Sequence, residues 1–173
     1  MAVALDREFL DFSTKKLGQL AGRIETCLGK LTEEQIWARG SEQENAVGNL
    51  VLHLCGNVRQ WIIGGVGGEP DRRNRDQEFA ARASVPSPEL EERLSSVIEE
   101  ATAVLGSVTK ERLSQRITVQ KYDVSVMEAI YHVVEHFSMH TGQIIFVTKL
   151  LTGTDLGFYR HLASGVASGK GTP

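Results

Sequence analysis

The sequence predicts an all-α four-helix bundle with a long crossover between its second and third helices. Three observations carry this. Four long stretches place apolar residues at steps of three and four, glycines or capping signals mark their ends, and no convincing pair of strands stands out. At 173 residues the chain suits one domain with a substantial core. Residues 1–163 read as that domain. The remainder, 164–173, turns to Ser, Gly, Ala and Lys and reads as a flexible tail.

Leu10, Leu17, Leu20, Ile24 and Leu28 mark one buried stripe of a first helix over 5–28, and Gly29 is a natural stop for it. Thr32 and Gln35 stand at capping-box spacing and open a short helix that brings Trp37 onto the bundle. The second long helix is expected from about Asn45 to Gly64 and Gly65, with Val47, Leu50, Val51, Leu54, Val58, Trp61 and Ile62 inward. The glycine-rich run that follows lacks the Gly-Lys-Ser/Thr ending of a phosphate loop. Together with Asp71 to Phe79 it reads as the crossover, which either joins helices running in the same direction or covers a site as a lid. Arg72, Arg73 and Arg75 alternate with Asp71 and Asp76 there, which predicts local ion pairs.

Ser87-Pro88-Glu89 reads as a cap, a helix-starting proline and an acidic first turn. Leu90, Leu94, Val97, Ala101, Val104 and Leu105 then define a third helix ending near Gly106. The segment Arg112 to Tyr122 reads as an extended connector. Ser125 and Glu128 make a second capping box, which opens the last long helix. Its stripe is Ile130, Val133, Phe137, Ile144, Val147 and Leu151, and Gly153 closes it.

Composition excludes some function classes. A net charge of −3 and a pI near 6.0, with no basic face, argue against nucleic acid as a partner. No apolar run reaches the roughly 18–20 residues that cross a bilayer. The first residues lack a charged-then-apolar export pattern, and Cys27 and Cys55 lie inside helical patterns, not in a disulfide framework. The expected location is therefore the cytoplasm.

The chemistry sits in the histidines. Three of the chain's five, His132, His136 and His140, recur every four residues on the last helix, so they share one face. His136 and His140 lie about 40° apart on the helical wheel, with Gln143 near them. Two imidazoles so placed can turn their nitrogens to one point about 2.0–2.1 Å away, the distance a zinc-like ion demands. On the second helix His53 flanks the apolar face, in a polar line with Asn49 and Asn57, each four residues apart. His53 can meet the pair on the last helix, and Asn49 and Asn57 can orient an imidazole or a metal-bound water. His132 lies a further 40° round, away from His140, and is expected outside the ligand set, in the pocket or behind it.

Two segments carry a resemblance. Asn-Leu-Val-Leu-His53-Leu-Cys-Gly-Asn57 and His136-Phe-Ser-Met-His140-Thr-Gly-Gln143-Ile together resemble the DinB/YfiT-like family of metal-dependent bundle proteins. Gly56 to Trp61 and Asp71 to Phe79 resemble one uncharacterised branch of it. The resemblance implies a left-handed bundle with its second and third helices parallel, and frequent homodimers. By motif position it implies His53, His136 and His140 as ligands of one divalent ion. The arginine familiar before the Gly-Gln pair is Thr141 here. Zinc or nickel suits three imidazoles, with at least one coordination position left open. The resemblance further implies an enzyme that activates a low-molecular-weight thiol for transfer to, or isomerisation of, an electrophilic small molecule. A metal-dependent hydrolase and a non-catalytic metal-binding dimer are the alternatives. A hydrolase calls for a carboxylate base, and Glu135 points about 100° from the histidine face.

Overall fold

The computed structural model describes residues 4–83 and 85–160. Four long helices make the bundle: α1 (Leu5–Leu28), α3 (Val47–Val58), α5 (Ser87–Ser107) and α7 (Val126–Thr152). Short helices α2 (Glu33–Trp37), α4 (Arg75–Ala80) and α6 (Lys110–Leu113) fill the connections. The expected tail, 164–173, and His161 lie outside the described residues.

Local chemistry sets the ends. The Thr32 hydroxyl accepts from the Gln35 amide at 3.2 Å, while the Gln35 side chain accepts from the Thr32 amide at 3.0 Å. At the start of α7 Ser125 and Glu128 make the same reciprocal pair, at 3.2 and 2.6 Å. Gly153 ends α7 in the left-handed conformation, φ +62°, which only glycine adopts cheaply.

The predicted stripes form the core. Leu10, Leu17, Leu20, Ile24 and Leu28 of α1 are buried, against α7 and α5. From α3, Leu50, Val51, Leu54 and Val58 are buried with them, as are Leu90, Leu94, Val97, Ala101 and Leu105 of α5. On α7 Ile130, Val133, Phe137 and Ile144 are buried, Val147 is half-buried, and Leu151 in the last turn is exposed. No helix among the described residues is long and apolar enough to cross a membrane.

Two features depart from the sequence reading. Helix α3 runs on past Val58 as a π-helical stretch, Arg59–Val66, so it ends beyond Gly64 and Gly65. The connector before α7 is not simply extended: β1 (Arg116–Val119) pairs antiparallel with β2 (Tyr122–Ser125), Val119 opposite Tyr122. Its two-residue turn holds Gln120 at φ +49° and Lys121 at φ +71°, where Asn-Gly is the usual choice. Without that signal the pair of four-residue strands is silent in the sequence. Val119 packs on the π-stretch at Gly65, where a β-carbon would stand 2.5 Å from its methyl group.

Candidate metal centre

The face of α3 that carries His53, Asn57 and, in the π-stretch, Trp61 lies against the face of α7 that carries His140, His136 and His132. The helices run antiparallel here: His53 stacks near His136 and His140, with ring centroids 5.0 and 5.1 Å away, and Trp61 stacks on His132 at 4.5 Å. Nε2 of His53 and Nε2 of His136 are 3.1 Å apart, and one ligand atom from each of His53, His136 and His140 falls within 4.8 Å of the others. Tetrahedral zinc with bonds near 2.05 Å keeps its ligand nitrogens about 3.3 Å apart. The three imidazoles can therefore hold a metal ion with small side-chain adjustments.

Their electrostatics suit that use. Burial, reinforced by His140, His53, His132 and Arg73, pushes His136 down to about 3. Burial also lowers His140, against the opposing Gln143 hydrogen bond, and lowers His132. At neutral pH these rings are uncharged and offer lone pairs, the form a metal requires.

A carboxylate stands behind His53. Glu78, on the crossover helix α4, places Oε2 3.1 Å from His53 Nδ1. Arg73 donates to both its oxygens, from Nε at 2.7 Å and from Nη2 at 2.8 Å, and from Nη1 to Gln60 at 2.9 Å. The Arg73 and Glu78 side chains are only 4% and 10% exposed. Burial alone would raise the Glu78 carboxyl, but the Arg73 and His53 hydrogen bonds outweigh it and hold the group below the usual range. The approach depends on Gly56, where a β-carbon would lie 2.0 Å from Glu78 Oε1. Arg73 thus pairs with Glu78 and not with a neighbouring aspartate. Asp71 instead accepts from Gln60 at 2.6 Å and from the Arg73 amide at 3.0 Å.

The remaining candidates take distinct places. Gln143 Oε1 accepts from His140 Nδ1 at 2.6 Å. Asn49 makes no hydrogen bond to an imidazole among the described residues; its amide donates to the Glu78 carbonyl at 2.8 Å and the Ala81 carbonyl at 3.1 Å, fastening the crossover to α3. Asn57 is 4% exposed, and its Oδ1 is buried without a hydrogen-bond partner among the described residues, as is Nδ1 of His136. His132 lies against Trp61, its ring 5.6 Å from that of His136, outside the group of three. Thr141 is buried and bonds the Phe137 carbonyl at 2.8 Å, so nothing there reaches the site.

Sequence reasoning missed Glu78, Arg73 and Gln60. Their segments carry no spacing that separates them from a solvated charge run; only the folding back of the crossover makes them partners of a ligand. A cavity of about 610 Å³ lies on the far side of that pair, lined by Cys55, Gly56, Arg59, Arg93 and Val97 among others, and by none of the imidazoles. Burial pushes the Cys55 thiol up to about 12, and Cys27 is fully buried in the core.

The chain is thus an all-α bundle with three imidazoles gathered between two facing helices. The chain belongs to the DUF1572 family of proteins of unknown function, whose family model matches residues 4–162. Among solved structures, a conserved protein from Enterococcus faecalis superposes with a TM-score of 0.70 at 16% identity, covering 88% of this chain and 100% of that one. A DinB-like protein, YjoA, from Bacillus subtilis gives 0.65 at 17% identity, over 85% of this chain and 96% of that one. A variant of a mycothiol-dependent maleylpyruvate isomerase gives 0.58 at 10% identity, over 78% of this chain and 60% of that one. At these identities the likeness is one of fold. A search of curated proteins finds no match.

Proposed function

We propose that the protein is a metal-dependent enzyme that activates a low-molecular-weight thiol for transfer to, or isomerisation of, an electrophilic small molecule. The observation that carries this reading is the convergence of three imidazoles, His53, His136 and His140, the last two only half-buried, with no fourth donor in the group among the described residues. Zinc or nickel fits an all-nitrogen set. Such an ion supplies Lewis acidity, which favours the thiolate form of an approaching thiol. His53 and His140 are held in orientation by Glu78 and Gln143.

The fold likeness to a mycothiol-dependent isomerase supports a thiol as co-substrate. Hydrolysis is the weaker reading. Glu78, the carboxylate hydrogen-bonded to an imidazole, is held by Arg73 and His53, so it is not free to act as a base on water. For a homodimer, the support is the outer face of α7, where Tyr131, Phe146 and Leu150 are 65%, 67% and 71% exposed.

The test is metal analysis of the purified protein, followed by turnover of a panel of electrophiles with and without added thiol. Thiol-dependent, metal-dependent turnover is the expected result. Metal-dependent ester or amide cleavage without thiol would favour the hydrolase, and no turnover in either case would favour a binding protein.

A further inference from the structure

A second cavity, of about 540 Å³, lies between α1, α7 and the turn that follows α7. None of the described histidines lines it. Its charged lining is Arg23 from α1, Lys149 from the last turn of α7, and Asp155 and Arg160 from the turn beyond. Three cations thus face one carboxylate, in a chain whose net charge is −3.

The carboxylate is already engaged. Gly157, at φ +71°, turns the backbone so that its amide donates to Asp155 Oδ1 at 3.0 Å. Arg160 donates to Asp155 Oδ2 from Nε and Nη2, both at 3.4 Å. Asp155 therefore offsets Arg160, while Arg23 and Lys149 form no ion pair among the described residues.

Arg23 is half-buried and fixed by aromatic rings. Its guanidinium carbon lies 5.4 Å from the Phe158 ring centroid and 5.3 Å from that of Tyr159. Stacking engages the face of a guanidinium and leaves its in-plane N–H donors available. Among the described residues only Nη1 finds an oxygen, the Tyr159 hydroxyl, at 3.5 Å, longer than an ordinary hydrogen bond. A held fork of donors with its charge unneutralised matches the oxygens of a carboxylate or phosphate. Lys149 adds a point charge from the facing helix. Leu20, Ile145 and Leu156, with the two rings, give the cavity apolar walls.

We propose that this cavity binds a small molecule with an apolar body and a terminal phosphate monoester, Arg23 and Lys149 together holding the phosphate. Such a group carries about −1.5 to −2 at neutral pH, which two unpaired cations match better than they match the single charge of a carboxylate. The cavity volume falls within the roughly 300–1,000 Å³ of small-ligand sites. The site is separate from the three imidazoles and rests on neither the metal nor the thiol reading.

The experiment is calorimetric titration of the full chain with phenyl phosphate, benzoate and benzyl alcohol, with the ¹H–¹⁵N resonance of Arg23 Nε followed in parallel. Phenyl phosphate is expected to bind and to shift that resonance, benzoate to bind more weakly, and benzyl alcohol not to compete. Arg23→Gln and Lys149→Gln should each weaken phenyl phosphate binding roughly tenfold, the loss of a charge-assisted hydrogen bond. Lys121→Gln, at the hairpin turn before the opposite end of α7, should leave it within about twofold. Lys149 is exposed, so Lys149→Gln decides if Arg23→Gln does not fold. The proposal is overturned by no binding of phenyl phosphate, or by benzoate or benzyl alcohol binding as tightly. Unchanged affinity in folded Arg23→Gln, as uptake at the imidazoles would give, also overturns it, as does an equal loss in Lys121→Gln. None of these failures touches the metal content or the thiol-dependent turnover, which are measured separately.

Discussion

Glu78 Oε2 lies 3.1 Å from Nδ1 of His53, and the two residues come from segments 25 positions apart. A carboxylate that accepts from the outer nitrogen of a ligating imidazole fixes its tautomer and raises its basicity. Glu78→Gln is therefore expected to weaken metal binding ten- to a hundredfold, read by competition with a chromophoric chelator. Glu78→Ala should also lower the stability of the metal-free protein by about 3–5 kcal/mol, because it leaves the buried Arg73 charge alone. Unaltered affinity in a folded Glu78→Gln protein would remove Glu78 from the site.

His53→Ala, His136→Ala and His140→Ala should each lose most of the bound metal, because two imidazoles hold a divalent ion far less tightly than three. His132→Ala should retain it, since His132 rests on Trp61 and stands outside the group of three. Metal content of the four purified variants checks this, and equal content in wild type and His140→Ala would contradict it.

The depressed imidazoles predict acid sensitivity. His136, at about 3 in the folded chain against an ordinary 6.5, takes up a proton on unfolding anywhere between those values. The unfolded state then binds more protons, so stability is fully present above about 6.5 and is lost as the pH falls toward 3. His132 and His140 are shifted in the same direction and add to the effect. Urea midpoints of the metal-free protein should fall from pH 7 to pH 5, and His136→Gln should flatten that slope. A midpoint independent of pH across this range would be the contrary result.

If the thiol is borrowed from solution, the protein's own thiols are dispensable. Cys55 lines the cavity behind the crossover and Cys27 is core filler. A Cys27→Ser, Cys55→Ala protein should keep its thiol-dependent rate, while chelation should abolish it. Loss of rate in this double variant, with metal content intact, would point to a protein nucleophile.

The bundle is legible in the sequence because its helices follow the simplest rule, an apolar stripe between caps. Leu10 to Leu28 and Ile130 to Ile144 occupy the core positions their spacing assigns. The i, i+4 spacing of His136 and His140 likewise suffices to put those residues on one helix face. Legibility fails where position depends on another segment. Glu78 looks like any charge in a polar run until Gly56 lets it approach, and Asn49 turns out to clamp carbonyls of the crossover. The hairpin stays hidden because Gln120 and Lys121 are poor announcers of a left-handed turn. Gln120 has a use beyond the turn: its amide donates to Gln60, which also receives Arg73.

That last bond ties together distant stretches of the chain. Gln120, Gln60, Arg73, Glu78 and His53 form one hydrogen-bonded line, and it meets α7 at His136. The centre therefore cannot exist in a partly folded chain: a nascent polypeptide that has not yet emitted α7 has one of the three imidazoles, and a chain with an undocked hairpin lacks the brace on Arg73. Closing loops of 60 and 83 residues is slow and comes late in folding. Metal uptake should accordingly report the finished fold, with the ion captured only once α7 has packed on α3.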